Sequence, residues 1–287
     1  MYFNQDLRHA GFWAIVTAEN STITLPVENG QGQSGRARNP NPPAIHVASG
    51  AAIGNLAVPP ACIACGRNVG RQGGLCQKCW RETHFIDRPY CDVLGTPFPY
   101  DHGEGTVSPE AIADPPPFDR LRSAVLYGDC PRRLVSRLKF SDQPELARWI
   151  SGWMRVAGGE LLKECDVAIP VPLHRRRLHM RRYNQSAELA RWLCRDGGIE
   201  FQPEALVRTR TTRQQVGLSS QERERNVQGA FRVEKEKRPL IEGRRVLLVD
   251  DVYTSGATVK ACARALRRAG VSGIDVLTFA RVASGDI

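Results

Sequence analysis

The chain has 287 residues, of which 41% are hydrophobic, enough for one large domain and a small companion. It has no run of about 18 apolar residues, so no membrane insertion is expected, and Met1 to Arg8 lacks the basic and apolar segments of a secretory leader, which points to a cytoplasmic location. The net charge of +10 favours polyanionic partners such as nucleic acid, nucleotides or pyrophosphate.

In chain order, residues 1–55 read as a disordered extension. Asn29 to Gly50 is rich in Gly, Asn, Pro and Ser, and the short apolar patch Phe12 to Val16 is compatible with a strand or a helix, with nothing around it to support either. Residues 56–100 hold a cysteine module, with Cys62-Ile63-Ala64-Cys65 followed by Cys76-Gln77-Lys78-Cys79. Each x₂ spacing lets two thiolates reach one ion, and two such knuckles make a closed tetrahedral Cys₄ site of the structural zinc type. A module this small needs the metal to fold. The alternatives are a redox pair or unliganded thiols, although a redox Cys-x-x-Cys ordinarily opens a helix after a strand. Cys91, Cys130, Cys165, Cys194 and Cys262 are scattered and read as small apolar residues. Residues 101–119, with Gly103, Gly105 and Pro115-Pro116-Pro117, read as a linker. No internal repeat is evident.

The main domain is expected over 120–287. Ser123 to Tyr127 reads as a strand, and Pro131 to Phe140 and Pro144 to Val156 as helices. Asp166 to Val171 is a strand ending in Pro170-Val171-Pro172. The next segment, His174 to Arg182, has five arginines in nine residues, which is either a solvated basic face or a nucleic-acid contact. Ser186 is placed to cap a helix running to Arg195 and stopped by Gly197-Gly198. Val246 to Val249 and Ile274 to Ala280 complete the strands. Strands alternating with helices predict an α/β fold, a parallel sheet flanked by helices.

The chemistry concentrates in Arg245 to Thr258. Four apolar residues, Val246 to Val249, fit a strand buried on both faces. Asp250 and Asp251 follow where that strand is expected to end, the usual ligand position of an open α/β sheet. Adjacent carboxylates accept hydrogen bonds from a vicinal diol or help to hold a hydrated Mg²⁺. Thr254, Ser255, Gly256, Ala257 and Thr258 then offer hydroxyls and amides at the start of a helix ending near Gly270, which is an anion site. Gly256 lets backbone approach a phosphate closely. The plainer reading is a buried strand ending in a polar turn.

This segment resembles the signature of type I phosphoribosyltransferases, which bind 5-phosphoribosyl-1-pyrophosphate (PRPP). The order of further segments is similar to that of the ComF family, a zinc ribbon followed by a phosphoribosyltransferase-like domain. The resemblance covers about residues 60 to 285. It is carried by the cysteine pairs, Arg88-Pro89-Tyr90-Cys91, Leu94 to Phe98, Ala168 to His174, Arg182 to Ser186, Thr211 to Ser219, Glu222-Arg223 and Asn226 to Phe231. It implies that Asp250 and Asp251 contact the ribose hydroxyls and that Thr254 to Thr258 cradle the 5-phosphate. It also implies that Leu173, His174 and Arg175 lie on the pyrophosphate loop, with Mg²⁺ accompanying PRPP. Arg210 to Asn226 matches a closing hood, from which Arg213 would meet the departing pyrophosphate and Glu222, Arg223 and Asn226 would brace the loop. A plain surface loop reads equally well there. Tyr183 to Ser186 are placed to cap and dock their helix. Many relatives carry a further Cys-x-x-Cys where this chain has Cys91-Asp92-Val93-Leu94, and Leu94 cannot bind metal.

Three functions are compatible with the resemblance. One is phosphoribosyl transfer to an unidentified acceptor. The second is non-catalytic sensing of PRPP or a nucleotide. The third is single-stranded-DNA handling in DNA uptake with a helicase partner, for which the arginine cluster offers charge but only Tyr183 and Trp192 offer nearby aromatics, and Trp192 reads as core. The sequence leaves the oligomeric state open.

Overall fold

The computed structural model describes residues 59–140, 145–174, 183–210 and 220–283. Two short helices come first, α1 (Gln77–Arg81) and α2 (Pro109–Ala113). They are followed by β1 (Arg120–Leu126), α3 (Asp129–Phe140), α4 (Glu145–Ala157), α5 (Gly159–Glu164) and β2 (Val167–Pro170). Then come α6 (Gln185–Gly197), β3 (Glu200–Phe201), β4 (Leu206–Arg208), α7 (Ser220–Val227) and β5 (Phe231–Val233). A 3₁₀ turn at Lys235–Leu240 leads to β6 (Arg245–Tyr253), α8 (Ala257–Arg268) and β7 (Gly273–Arg281).

Five strands form a parallel sheet in the order β1-β7-β6-β2-β3, and β4 and β5 pair antiparallel outside it. Alternate residues of β6 supply two cores. Val246 and Leu248 pack with α8 residues such as Cys262 and Leu266. Leu247 and Val249 pack with Leu134 of α3, Ile150 of α4 and Leu189 of α6. Burial on both faces accounts for the unbroken apolar run. The α/β expectation holds.

One polar residue fixes the register. Asp275 of β7 is fully buried. Its carboxylate accepts two hydrogen bonds from Arg120 of β1, at 2.9 and 2.8 Å, and two from Arg245 of β6, at 2.8 and 3.1 Å. Burial pushes this carboxyl up, but the two guanidiniums more than offset that and hold it below its ordinary value. Gly273 makes room for the clamp, since a side chain there would strike the Arg245 guanidinium.

Several boundaries differ from the sequence expectation. β6 runs on through Asp250 and Asp251 to Tyr253 because β7 continues beside it, with Asp250 opposite Thr278 and Tyr253 opposite Arg281. Asn184, not Ser186, caps α6, its side chain accepting from the Ser186 amide at 3.1 Å. The stretch read as a linker carries α2, capped by Ser108, and buries Ala111 and Phe118. Contrary to the expectation of no repeat, residues 60–69 and 89–98 share one hydrogen-bonding pattern.

Removing the clamp should be costly, because two partly buried guanidiniums would lose their shared buried anion and keep only the more exposed Glu164 and Asp119. Asp275→Asn is expected to lose about 3 kcal/mol of stability at pH 7, the low end for a broken buried pair. The folded-state pKa is depressed, so the wild-type advantage is present above pH ~4 and fades as pH falls through the folded value. Urea unfolding of both proteins across pH 2–8 checks this.

Candidate functional site

β6 feeds α8 and then β7 on one side, whereas β2 feeds α6 and then β3 on the other. The crevice at the carboxyl ends of β2 and β6 is therefore the topological switch point, where open α/β sheets place ligands. The two strands are unequal. Their pairing ends at Pro170 opposite Val249, with one further bond from the Val171 amide to the Val249 carbonyl at 2.9 Å. Asp250 and Asp251 thus stand just beyond the end of β2.

Both carboxylates are held by residues from other elements. The Ser186 hydroxyl donates to Asp250 at 2.9 Å, and the Asp251 amide donates to the same oxygen at 2.9 Å. Gln185 Nε2 donates to Asp251 at 3.3 Å, and Lys139, near the end of α3, pairs with Asp251 at 2.9 Å. Asp250 and Asp251 are only 9% and 5% exposed. Burial, reinforced by the neighbouring Asp251 charge, pushes the Asp250 carboxyl up to about 7. Two like charges at one place explain the need for Lys139.

The loop after Tyr253 turns into α8 at Gly256, whose φ of 73° is left-handed and whose side, if substituted, would collide with the Tyr253 hydroxyl. No side chain caps α8, so its first-turn amides face the loop. Thr254, Ser255 and Thr258 are half-buried, while Gly256 and Ala257 are buried. A cavity of about 200 Å³ opens beside the loop, lined by Leu94, Glu110, Glu224, Thr254, Ser255 and Arg281 among others. Ser255 Oγ and Arg281 Nε are buried there without a hydrogen-bond partner among the described residues.

Leu173 and His174 are half-buried just past the end of β2, and Asn184 Nδ2 donates to the Val171 carbonyl at 3.1 Å to hold that turn. Arg175, the rest of the basic cluster through Arg182, and Arg213 lie outside the described residues. The structure therefore brings together Asp250, Asp251 and the Thr254–Thr258 loop, with Leu173 and His174 following the neighbouring strand. Lys139, Gln185 and Ser186 were missed as site residues. Ser186 and Gln185 carried a signal in the Asn-Gln-Ser segment, but Lys139 carried none. Tyr183 docks its segment by donating to the Leu138 carbonyl.

The cysteine knuckles converge separately. The Sγ atoms of Cys62, Cys65, Cys76 and Cys79 all lie within 4.8 Å of one another, with Cys65 and Cys76 at 3.6 Å. A tetrahedral ion with Zn–S near 2.3 Å requires sulfurs about 3.8 Å apart, so the set fits structural zinc. Helix α3 supports it. Arg133 Nη2 reaches Cys79 Sγ at 3.5 Å, and Arg137 Nη1 donates to the Ile63 carbonyl at 2.7 Å.

Asp250 has a raised folded-state pKa, so its ionisation costs stability as pH rises from about 4 through about 7. Asp250→Asn is therefore expected to match wild type below pH 4 and to be the more stable protein at pH 8. Chemical denaturation at those two pH values checks the sign.

Comparison with known proteins agrees with this architecture. The double zinc ribbon domain family matches residues 53–111, and the phosphoribosyl transferase domain family matches residues 186–286. The DNA utilization protein YhgH of Escherichia coli K12 is 33% identical over 235 residues, covering 79% of this chain and 99% of the relative. Competence protein F of Haemophilus influenzae is 32% identical over 234 residues, covering 77% of this chain and 96% of the relative. Among solved structures, an orotate phosphoribosyltransferase from Aeropyrum pernix aligns with a TM-score of 0.30 and 19% identity, over 55% of this chain and 80% of that one. That score is too low to bear on the site. The ordered pair of domains and the near full-length relatives place the chain in the ComF family, with DNA utilization protein YhgH and competence protein F.

Proposed function

We propose that this protein binds PRPP in the crevice between β2 and β6 and transfers its phosphoribosyl group to an acceptor, releasing pyrophosphate. The observation that carries the reading is the pair Asp250-Asp251 just beyond the end of β2, followed directly by the uncapped start of α8. Carboxylates accept hydrogen bonds from the ribose 2′ and 3′ hydroxyls. Amides and hydroxyls of Thr254, Ser255, Gly256, Ala257 and Thr258 meet the 5-phosphate. The pyrophosphate lies toward Leu173, His174 and Arg175, and Arg213 meets it as the hood closes. Mg²⁺, when bound with PRPP, neutralises the pyrophosphate.

The acceptor's lone pair forms the new bond at ribose C1 as the C1–O bond to pyrophosphate breaks, and the bonding electrons depart with pyrophosphate. The acceptor's proton then leaves to solvent or to a base of its own. The protein positions the sugar and stabilises the leaving charge. Lys139 acts as a positioning residue, balancing Asp251 so that both acids can face one ribose. Lys139→Ala is expected to weaken PRPP binding about tenfold, as the loss of one partly buried charge partner implies.

Calorimetric binding of PRPP with Mg²⁺, beside an Asp250→Ala/Asp251→Ala variant, tests the site. Binding in the wild type that falls at least tenfold in the variant is expected. A folded, zinc-loaded wild type that binds nothing would sink the reading. Pyrophosphate release in an acceptor screen then separates transfer from sensing of PRPP.

A second reading has its own support. The relatives' names refer to DNA utilization and competence. On α4 and α6, Arg148 lies over the Trp149 and Trp192 rings at 5.5 and 5.7 Å, and Arg195 over Trp192 at 5.0 Å. Trp192 is half-buried rather than core, and both arginines are exposed. Charge beside aromatic faces suits single-stranded DNA. Under this reading, oligo-dT quenches tryptophan fluorescence in a salt-dependent way, and Arg148→Ala/Arg195→Ala reduces both the affinity and the salt slope. Unchanged fluorescence at low salt excludes it.

A further inference from the structure

The double ribbon repeats a single plan. Pro60, Ala61, Cys62, Cys65, Gly66, Arg67, Asn68 and Val69 have counterparts, at one constant offset, in Pro89, Tyr90, Cys91, Leu94, Gly95, Thr96, Pro97 and Phe98. The hydrogen bonds repeat with them. The Cys62 amide donates to the Arg67 carbonyl at 2.7 Å and the Cys91 amide to the Thr96 carbonyl at 2.8 Å. The Gly66 amide reaches the Cys62 carbonyl at 2.9 Å, and the Gly95 amide reaches the Cys91 carbonyl at 2.7 Å. The Val69 and Phe98 amides donate at 2.9 Å to the Pro60 and Pro89 carbonyls. Bridges Ala61–Asn68 and Tyr90–Pro97 close the two knuckles, and Gly66 and Gly95 both take left-handed φ, 77° and 60°.

The second knuckle of each half repeats as well. Cys76 precedes the five-residue helix α1 with φ −71° and ψ 161°, and Ser108 precedes the five-residue helix α2 with φ −70° and ψ 152°. Cys79 and Ala111 hold the same helical position. The sulfur environments agree. Cys91 Sγ accepts from the Leu94 and Ser108 amides at 3.3 and 3.1 Å, the positions that match Cys65 and Cys76 around Cys62. The four ligand positions of the second half are therefore Cys91, Leu94, Ser108 and Ala111.

That set does not fit zinc. One thiol, one hydroxyl and two hydrocarbon side chains cannot close a tetrahedral shell. Leu94 and Ala111 are each 4% exposed and belong with Cys91, Phe118 and Tyr253 to the core beside α8. Carbon has taken the ion's place. The knuckle is also tied to the sheet from outside. The Leu121 amide donates to the Val93 carbonyl at 2.7 Å, Arg122 Nη1 to the Asp92 carbonyl at 2.8 Å, and Arg281 Nη1 to the Leu94 carbonyl.

We infer that the second half of the double ribbon is a metal-free fold that keeps the zinc-knuckle backbone, so that the protein holds one zinc per chain, and that this half serves as a wall of the cavity beside the Thr254–Thr258 loop. The cavity lining supports the last clause, since Leu94 and Glu110 come from this half.

Metal content of the purified full-length chain, by mass spectrometry of the metal and by thiol-displaced zinc with a chromogenic chelator, tests the inference. One zinc per chain is expected, unchanged in Cys91→Ser and lost in Cys62→Ser. Two zincs per chain, or a fall in content in Cys91→Ser, would overturn it. The triple variant Leu94→Cys/Ser108→Cys/Ala111→Cys rebuilds the shell. It should take up a second equivalent, and cobalt substitution should then double the thiolate charge-transfer absorbance. A folded triple variant that still binds one metal would show that the knuckle backbone is not retained. Should that variant not fold, the wild-type and Cys91→Ser contents decide the matter alone.

Discussion

The Asp275 carboxylate, clamped between Arg120 and Arg245, is the contact on which the rest of the molecule depends. It ties the three neighbouring strands β1, β7 and β6 at the end of the sheet remote from the site. A parallel strand that slips by one residue exchanges its two faces. Here that would move Leu247 and Val249 into the α8 core and Val246 and Leu248 into the other. A four-bond polar clamp at a fully buried carboxylate costs desolvation, and in exchange it favours one alignment. With the register set, the lengths of the strands determine which residues reach past their neighbours. β6 reaches past β2 by the two acids.

Charge economy shapes the crevice. Two adjacent acids in a buried place repel one another and resist ionisation, which is visible at Asp250. The protein answers with one lysine from α3 and two neutral donors from α6, Gln185 and Ser186. Among the described residues the pair is held by dipoles and a single cation, leaving lone pairs on both carboxylates able to accept further hydrogen bonds. A full complement of arginines would have consumed that capacity.

Much of this was legible because it is local. An apolar run of four predicts a strand buried on both faces, and paired Cys-x-x-Cys spacing predicts a metal shell, since each needs only neighbours in sequence. What escaped depends on distant partners. The last four residues of β6 look like a polar turn, and only the continuing ladder to β7 keeps them extended. Asn184 and Ser186 are equally good caps by type, and the pull of Asp250 decides between them. Lys139 reads as an ordinary helix-end cation. The repeat is hard to read from the sequence because the two knuckles share backbone positions, a glycine and a proline among them, while three of the four ligand positions of the second differ from cysteine. Arg175 and Arg213 lie outside the described residues, so their roles rest on the resemblance.

Helix α3 carries Arg133 and Arg137 at the ribbon and Lys139 at the acids, within one twelve-residue element. Three turns of helix are short and stiff, about 18 Å from end to end. The element therefore works as a strut with the metal module fastened to its side and the lysine near its tip. A tilt of the module is a tilt of the lysine, with no loop between them to absorb the difference, so the contact of Lys139 with Asp251 depends on how the ribbon packs against this one helix.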